Sequence, residues 1–356
     1  MSERYALCML CMLNDLYVVG ACVSAYCHRR FSSRRSRRID LVVMCDERIH
    51  GRYGATLRRY FDRVVKVSLI TLPLSPEYEF YDVASASKYS SWISYSLTKW
   101  KCLRMTRYAK VLFVDVDMLP RTSSFYDIFD FDTPAVHRVR TSDPCTNNAA
   151  FSFRVDIPYK EYIRNVESSY GAIYGGLCLF KPSLAMYKAY RSFVKELYPN
   201  GLHTTNMSGP DESSLYFFLL KSGIPMHSIC TEYSVIPWER RHRPFLPKAK
   251  LYNFLSYVKP WVKPRFLCWP EELVWHDVFA RMVDKTPELE RLATSVKVDC
   301  VRSFLKMSRE ERRRYFHVSV GLEQVHRARD PDVLKDLEAR VASAQGDYGV
   351  VNFRLP

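Results

Sequence analysis

The sequence predicts an α/β fold with a mostly parallel central sheet and a helical C-terminal appendix. Three observations carry that expectation. Four short apolar runs occupy the first third of the 356-residue chain. Helix-patterned segments follow some of them, and strands alternating with helices favour parallel pairing. Beyond residue 282 the pattern changes to successive helix-start signals.

The first run covers residues 5–13. Arg4 before it gives a superficial likeness to a secretion signal, but Asn14-Asp15 interrupts the run and no small-residue cleavage pattern follows. It is expected to be a buried strand, followed by a helix over residues 20–26 whose end carries basic residues. Residues 40–45 include Leu41-Val42-Val43-Met44, the continuous apolar run of a strand buried on both faces. Residues 63–70 are a third, β-branched run and residues 110–114 a fourth. Between these two, Leu97, Trp100 and Leu103 recur at helical spacing within residues 92–108. In the last segment, Thr286-Pro287, Ser308 with Glu311, and Asp330-Pro331 read as three helix starts. Leu334, Leu337 and Val341 form the apolar stripe of the third. The expected division is therefore 1–282 and 283–356.

Composition narrows the class. The chain is 47% hydrophobic and 26% charged, which is globular rather than disordered. Its formal charge of +15 falls in two patches. Residues 1–60 carry a net +6 (11 basic, 5 acidic) and residues 237–270 a net +7 (8 basic, 1 acidic), with the remainder near balance. A basic nucleic-acid tail would be one continuous run, so nucleic acid is a disfavoured partner. The Arg29, Arg30, Arg34, Arg35, Arg37 and Arg38 cluster reads first as a solvated loop before the second strand. No run of about 18 apolar residues occurs, so no membrane span is expected. The 11 scattered cysteines do not form a disulfide framework, and a reducing compartment is expected. Asn206-Met207-Ser208 matches a glycosylation acceptor, a match that means nothing without secretion.

The sharpest chemical feature is Val111-Leu112-Phe113-Val114-Asp115-Val116-Asp117. Apolar residues bury a strand, and two carboxylates one residue apart emerge at its carboxyl end, where ligands of parallel sheets collect. Carboxylates are hard oxygen ligands suited to Mg²⁺ or Mn²⁺. The plainer alternative is a strand end with two solvated acids. Lys99 lies 16 residues earlier, Asp211-Glu212 opens an apolar helix, and Lys259-Pro260-Trp261 lies in the second basic patch.

With these motifs in order, residues 5–261 resemble the glycogenin-like glycosyltransferases, family 8 of the retaining sugar-nucleotide enzymes. The motifs are Leu13-Asn14-Asp15-Leu16-Tyr17 followed by Gly20, Leu97-Thr98-Lys99, Asp115-Val116-Asp117, Gly175-Gly176 through Pro182-Ser183, Asp211-Glu212 and Lys259-Pro260-Trp261. The wording of Tyr89-Ser90-Ser91-Trp92-Ile93, Thr98-Lys99-Trp100 and Val235-Ile236-Pro237-Trp238 is closer to a branch encoded by large insect DNA viruses such as baculoviruses. The resemblance implies a nucleotide-sugar-binding, Rossmann-like fold of the GT-A type. It also implies transfer of a hexose from a UDP-sugar to an acceptor with retention, dependent on Mn²⁺ (or Mg²⁺), and a cytoplasmic location, in an infected cell if the chain is viral.

Site roles follow from the resemblance position by position. Asp115 and Asp117 would hold the metal, with Asn253 at the place of the third ligand. Leu13, Asn14, Tyr17, Val116 and Ser256 would join the donor site, Tyr17 by stacking on the base. Lys99 would bind the donor sugar or acidic groups beside it, Lys259 would neutralise the leaving β-phosphate, and Asp211 would face the anomeric centre. Four departures stand out. Asn253 replaces a His, Ser256 a Gly, Tyr174 an Asn, and Glu212 a Gln. They define the alternative, a catalytically degraded member that binds nucleotide sugar or a partner without turnover. The acceptor, a glycan, protein or small molecule, is not specified by sequence, and a homodimer is compatible with it. Tyr233 lies near the region of the self-glycosylating tyrosine, but its surroundings differ and self-transfer is not expected.

Other conspicuous residues have plainer readings. Cys8 and Cys11 lie within the first strand and are expected to be buried thiols rather than a zinc or redox pair. His276 is expected to be a packed residue of a surface helix rather than a metal ligand. Trp92, Trp100, Trp238, Trp261, Trp269 and Trp275 include core anchors, with Trp238 a candidate for an acceptor groove.

Overall fold

The computed structural model describes residues 3–33, 38–76, 78, 90–138, 145–151, 173–202, 209–237, 239–255, 259–261 and 270–293. Ser256, Tyr89, Trp238, Trp269, Arg34, Arg35, Arg37, the Asn206 acceptor motif and the helix starts at Ser308 and Asp330 lie outside these residues.

The strands are β1 (Arg4–Cys11), β2 (Arg38–Cys45), β3 (Arg63–Lys66), β4 (Lys110–Val114), β5 (Met118–Pro120), β6 (Ala135–Arg138), β7 (Ala150–Phe151), β8 (Ile173–Phe180), β9 (Met226–Ile229) and β10 (Leu251–Asn253). The expected mostly parallel central sheet is present, in the order β3-β2-β1-β4-β8-β6-β9-β7. β3, β2, β1 and β4 are mutually parallel, β8 runs antiparallel to both β4 and β6, and β9 is parallel to β6. β5 and β10 form a separate antiparallel pair. The carboxyl ends of β1, β2 and β4 therefore open on one edge of the sheet, which is where Leu13, Asp46 and Asp115 lie.

Each central strand is buried on both faces, as a parallel sheet demands. Leu7, Met9 and Cys11 join one core with α1 (Leu16–Ser32) and α2 (Glu47–Arg58), while Ala6 and Cys8 join a second core with Trp100 and Phe113. The helix expected over residues 20–26 is thus the middle of a 17-residue helix. Asp46 caps α2 by accepting a hydrogen bond from the Ile49 N–H at 2.8 Å. α3 (Leu184–Leu197) and α4 (Pro210–Lys221) cover the second core.

The segment expected to be helical before β4 coils at three residues per turn over Ile93–Arg104. Leu97, Trp100 and Leu103 recur every third residue, and a 3₁₀ coil stacks residues of that spacing on one line. All three side chains are fully buried.

α5 (Pro270–Val283) and the short α6 (Glu288–Leu292) return to pack on α1. Tyr60 and Thr286 share a hydrogen bond at 2.6 Å, and Leu289 and Ala293 are buried in the first core. His276 is packed as expected, its imidazole fully buried beside Trp275, while α5 itself lies against the core rather than at the surface. Trp100, Trp261 and Trp275 are buried anchors, and Trp92 is partly exposed.

Cys8 and Cys11 are buried thiols as expected, and Cys22, Cys27, Cys45, Cys102 and Cys178 are buried thiols too. Cys145 and Cys230 form a disulfide between segments 85 residues apart, a single bridge rather than a framework among the described residues. In the first arginine cluster, Arg29 binds Asp62 and the Tyr60 carbonyl, both at 3.0 Å, so it ties α1 to the start of β3 instead of standing free.

Among the described residues no helix is long and apolar enough to cross a membrane.

Candidate active site

The edge formed by β1 and β4 collects a compact set of charges. β4 ends at Val114, and Asp115-Val116-Asp117 turns away from the sheet. The Asp115 N–H donates to the Gly176 carbonyl at 2.9 Å, and the Met118 N–H donates back to the Asp115 carbonyl at 3.2 Å. Ser24 of α1 donates to the Met118 carbonyl at 2.6 Å, which pins the far end of this turn. The Val116 side chain packs in the first core.

Lys99 reaches the same place from the 3₁₀ segment. Its Nζ lies 2.7 Å from Asp211 Oδ2 and 3.8 Å from Asp115 Oδ1. The residues flanking Lys99 fix it. The Thr98 hydroxyl accepts from the Ile70 N–H at 2.9 Å, and the Trp100 indole N–H donates to the Asp211 carbonyl at 2.9 Å. Burial alone would lower the Lys99 pKa, but Asp115, Asp211 and Glu212 outweigh it and hold the ammonium above the ordinary lysine value. Loss of hydration raises the Asp115 carboxyl, with Lys99 pulling it down and Asp117 and Asp211 pushing it further up.

Asp211 and Glu212 occupy the first turn of α4, where the helix dipole favours negative charge. Glu212 braces rather than faces the pocket. Its carboxylate accepts from the Gly175 N–H at 2.9 Å and from the Gly209 N–H at 3.3 Å. Burial and the Asp211 charge push its carboxyl up to about 8, against the pull of Lys99 and the Gly175 N–H. Gly175 and Gly176 allow this closeness. A Cβ on Gly175 would lie 2.7 Å from Glu212 Cγ, and one on Gly176 would lie 2.5 Å from Asp115 Oδ2 and overlap the Tyr174 ring.

Lys259 approaches from the far side. Its ammonium contacts Asp117 Oδ2 and donates to the Phe254 carbonyl at 3.2 Å. Asn253 ends β10 directly opposite Met118, and the following Phe254 N–H donates to the Asp117 carbonyl at 2.9 Å. Asn253 is 1% exposed. The carboxamide oxygen of Asn253 and the second carboxylate oxygen of Asp117 are both buried without a hydrogen-bond partner. Buried acceptors in that condition each cost about 1–3 kcal/mol. Neither can satisfy the other, whereas a hard cation satisfies both, so the donor set of Asp115, Asp117 and Asn253 fits a divalent ion. No group of three or more His, Cys, Asp or Glu suited to a metal occurs among the described residues.

The turn after β1 forms a second wall. Leu13 has φ 64°, a left-handed conformation secured by Asp46, which accepts from its N–H at 2.6 Å, and by Arg48, which donates to its carbonyl at 2.7 Å. The side-chain oxygen of the exposed Asn14 accepts from the Leu16 N–H at 2.9 Å, a local turn that leads into α1. Asp15 points away to Arg48, Arg52 and Tyr53. The Tyr17 ring meets Trp261 edge-on at 5.6 Å. Gly20, grouped with this turn in the sequence motif, meets Trp261 instead, since a Cβ there would lie 2.5–2.9 Å from the indole.

The structure thus brings together Lys99, Asp115, Asp117, Asp211, Asn253 and Lys259, with Leu13, Asn14 and Tyr17 on the adjoining turn. Sequence reasoning overlooked Ser234, which receives a hydrogen bond from Asn253 Nδ2 at 3.1 Å, and Ser24. Isolated serines carry no sequence signal for such roles. Tyr233 is 1% exposed and its hydroxyl accepts from Lys250 at 2.8 Å.

No family model matches the chain. It is 22% identical over 184 residues to an uncharacterized protein of Acanthamoeba polyphaga mimivirus, covering 51% of this chain and 56% of that one. It is 23% identical over 256 residues to human glycogenin-1 and 23% identical over 255 residues to human glycogenin-2, each covering 70% of this chain. Those alignments span 60% and 42% of the two glycogenins. Among solved structures, the galactosyltransferase LgtC, in complex with donor and acceptor sugar analogs, superimposes with a TM-score of 0.46 at 15% identity, covering 78% of this chain and 95% of LgtC. The glycosyltransferase GlyE of Streptococcus pneumoniae superimposes with a TM-score of 0.45 at 12% identity, covering 80% of this chain and 64% of GlyE. The chain spans less than two thirds of the length of each of the three curated relatives.

Proposed function

We propose that this chain is a retaining glycosyltransferase that moves a hexose from a UDP-sugar to an acceptor with the help of a divalent cation. The observation that carries the reading is the convergence of Lys99, Lys259 and three aspartates at the carboxyl edge of a parallel sheet. The glycogenin relatives point the same way.

In this reading Asp115, Asp117 and the Asn253 carboxamide oxygen hold the cation. The bound ion would supply positive charge to the diphosphate of the donor. Lys259, released from Asp117 by the incoming phosphate, would stabilise negative charge growing on the β-phosphate as the glycosidic bond breaks. Lys99 orients Asp211 toward the sugar, and its charge, shared with Asp115, offsets the repulsion between the two carboxylates. The Leu13–Tyr17 turn would take the uracil and ribose, with Tyr17 stacking on the base. Ser256 would lie beside the phosphates. Residues 1–282 would form the catalytic unit and 283–356 an extension.

A second reading, a nucleotide-sugar binder without turnover, is favoured by the Lys259–Asp117 pair, which competes with a metal for the same carboxylate. A panel of UDP-sugars with and without Mn²⁺, read by UDP release, tests both. Metal-dependent release supports transfer. Binding without release leaves the second reading, and no metal-dependent binding removes both.

A further inference from the structure

Three cations gather where the 3₁₀ segment meets α3. The segment Ile93–Arg104 stacks its residues in lines three apart. Leu97, Trp100 and Leu103 occupy the line that enters the core, and Lys99 lies on the line that reaches Asp211. Lys101 and Arg104 share the third line. The Arg104 guanidinium lies over the Tyr187 ring of α3, 5.6 Å from its centroid. Arg191 follows Tyr187 by one turn of that helix and so shares its face.

No acid answers these charges. Lys99, Lys250 and Lys259 each pair with a carboxylate, whereas among the described residues Lys101, Arg104 and Arg191 form no ion pair. Lys101 is nevertheless only 8% exposed, and its ammonium donates to the Ser68 hydroxyl at 2.7 Å. Burial lowers the pKa of this lysine, and the nearby charges of Arg104 and Arg191 lower it further. Arg191 Nη1 is buried without a hydrogen-bond partner. A buried donor left unmet costs about 1–3 kcal/mol, so the cluster is held together at a loss.

The groups that meet here all donate. An ammonium can only donate, so the Ser68 oxygen accepts from Lys101 and the hydroxyl keeps its own proton to give. Ammonium, hydroxyl and two guanidinium groups together are the complement of a tetrahedral oxyanion. Ser68 and Arg104 are exposed, so the cluster opens to solvent.

We propose that Ser68, Lys101, Arg104 and Arg191 form an anion site, distinct from the pocket of Asp115, Asp117 and Asp211, that binds a phosphate or sulfate group. The long Arg191 stem lets rotation bring its unmet nitrogen onto the bound oxyanion. The site stands independently of the glycosyltransferase reading.

Thermal melts and titration calorimetry of the full chain test it, with sodium phosphate, sodium sulfate and glycerol 3-phosphate compared against sodium chloride at equal ionic strength. Phosphate and sulfate are expected to raise the melting temperature where chloride does not. Lys101→Met and Arg191→Gln should each weaken phosphate binding by about tenfold, as loss of one charge-assisted hydrogen bond predicts. Without an anion both variants should melt no lower than the parent, because each removes a charge that has no counter-charge. Should one variant fail to fold, the other carries the test. Tighter binding of glycerol 3-phosphate than of phosphate would support an ester as the ligand, and the reverse order a free ion. Absence of anion-specific binding, or binding unchanged in the folded variants, overturns the proposal. Phosphate binding lost in Lys259→Met but kept in Lys101→Met would place the ion in the other pocket and overturn it too.

Discussion

Lys99 Nζ lies 2.7 Å from Asp211 Oδ2, and the two side chains are 9% and 4% exposed. The pair joins the 3₁₀ segment to the first turn of α4, and the Trp100 indole reinforces it by binding the Asp211 carbonyl at 2.9 Å. A buried ion pair contributes little net stability, but removing one partner strands the other. Lys99 is therefore the cation that Asp115, Asp211 and Glu212 share.

Lys99→Met should destabilise the fold by about 3–5 kcal/mol at pH 8, the usual cost of stranding a buried charge. Asp211, Asp115 and Glu212 would lose their shared cation. At pH 5 the deficit should shrink, because carboxyls freed from Lys99 take up protons more easily. Urea denaturation at the two pH values checks this. An equal deficit at both would mean that packing of the lysine stem, not its charge, holds the segment.

Glu212 gives a pH dependence of known sign. Its carboxyl is raised in the fold, to about 8. Between the ordinary glutamate value and about 8, the native state holds this proton more tightly than the unfolded chain. The associated stability is fully present below the unfolded pKa and is lost as pH rises through about 8. Glu212→Gln mimics the protonated acid and should keep the Gly175 hydrogen bond. The variant should match the parent near pH 5 and melt above it at pH 9. A parent that melts higher at pH 9 would contradict the raised carboxyl.

Asp115 and Asp117 should separate binding from folding. Asp115 is 31% exposed in its side chain, so Asp115→Asn should leave the melting temperature nearly unchanged while abolishing metal-dependent UDP binding. Asp117→Ala should abolish the same binding and also lower stability, because Lys259, 8% exposed in its side chain, loses its carboxylate. Calorimetry with UDP and Mn²⁺, paired with thermal melts, distinguishes the two. Retained binding in both variants would remove the proposed metal site.

Local strings announced the parts of this molecule that are local. The apolar runs of β1, β2 and β4 are each buried within a few residues of where composition placed them, since a strand between two helical layers has no polar face to alternate. Asp115 and Asp117 stood out for the same reason, as charge directly after a buried run. What stayed hidden depends on residues far apart in sequence. Trp100 reads as a core anchor, but its indole bond to Asp211 spans 111 residues. Gly20 reads as part of a nucleotide turn, yet the ring that requires it belongs to Trp261. The departure at Asn253 was visible, but Ser234, 19 residues away, makes sense only once the backbone has returned.

The Cys145–Cys230 disulfide should be measurable as a reduction-dependent loss of stability. It ties the segment before β7 to the end of β9, where Asn147 also binds the Cys230 N–H at 2.9 Å and Glu232 at 2.7 Å. A crosslink of this span contributes about 2–4 kcal/mol, mainly by restricting the unfolded chain. Adding a reductant, or making Cys145→Ser, should lower the melting temperature. A melting temperature indifferent to reductant would show that the two thiols are not bonded in solution.

Gly20→Ala tests whether α1 positions Lys259 through Trp261. The added methyl would sit 2.5–2.9 Å from three indole carbons, so the ring must move. Trp261 is fully buried, packs against Trp275 with centroids 6.0 Å apart, and follows Lys259 by two residues across a rigid proline. Overpacking of this kind costs about 1–3 kcal/mol. A displaced indole should also withdraw Lys259 from the Asp117 carboxylate. The expected result is therefore a double loss, a lower melting temperature together with weaker UDP affinity in the presence of Mn²⁺. Gly54→Ala on α2 is the control, because a Cβ there meets only the flexible end of Arg58 at 3.4 Å. If Gly20→Ala lowers stability but leaves UDP affinity intact, Trp261 packs the core without placing the lysine.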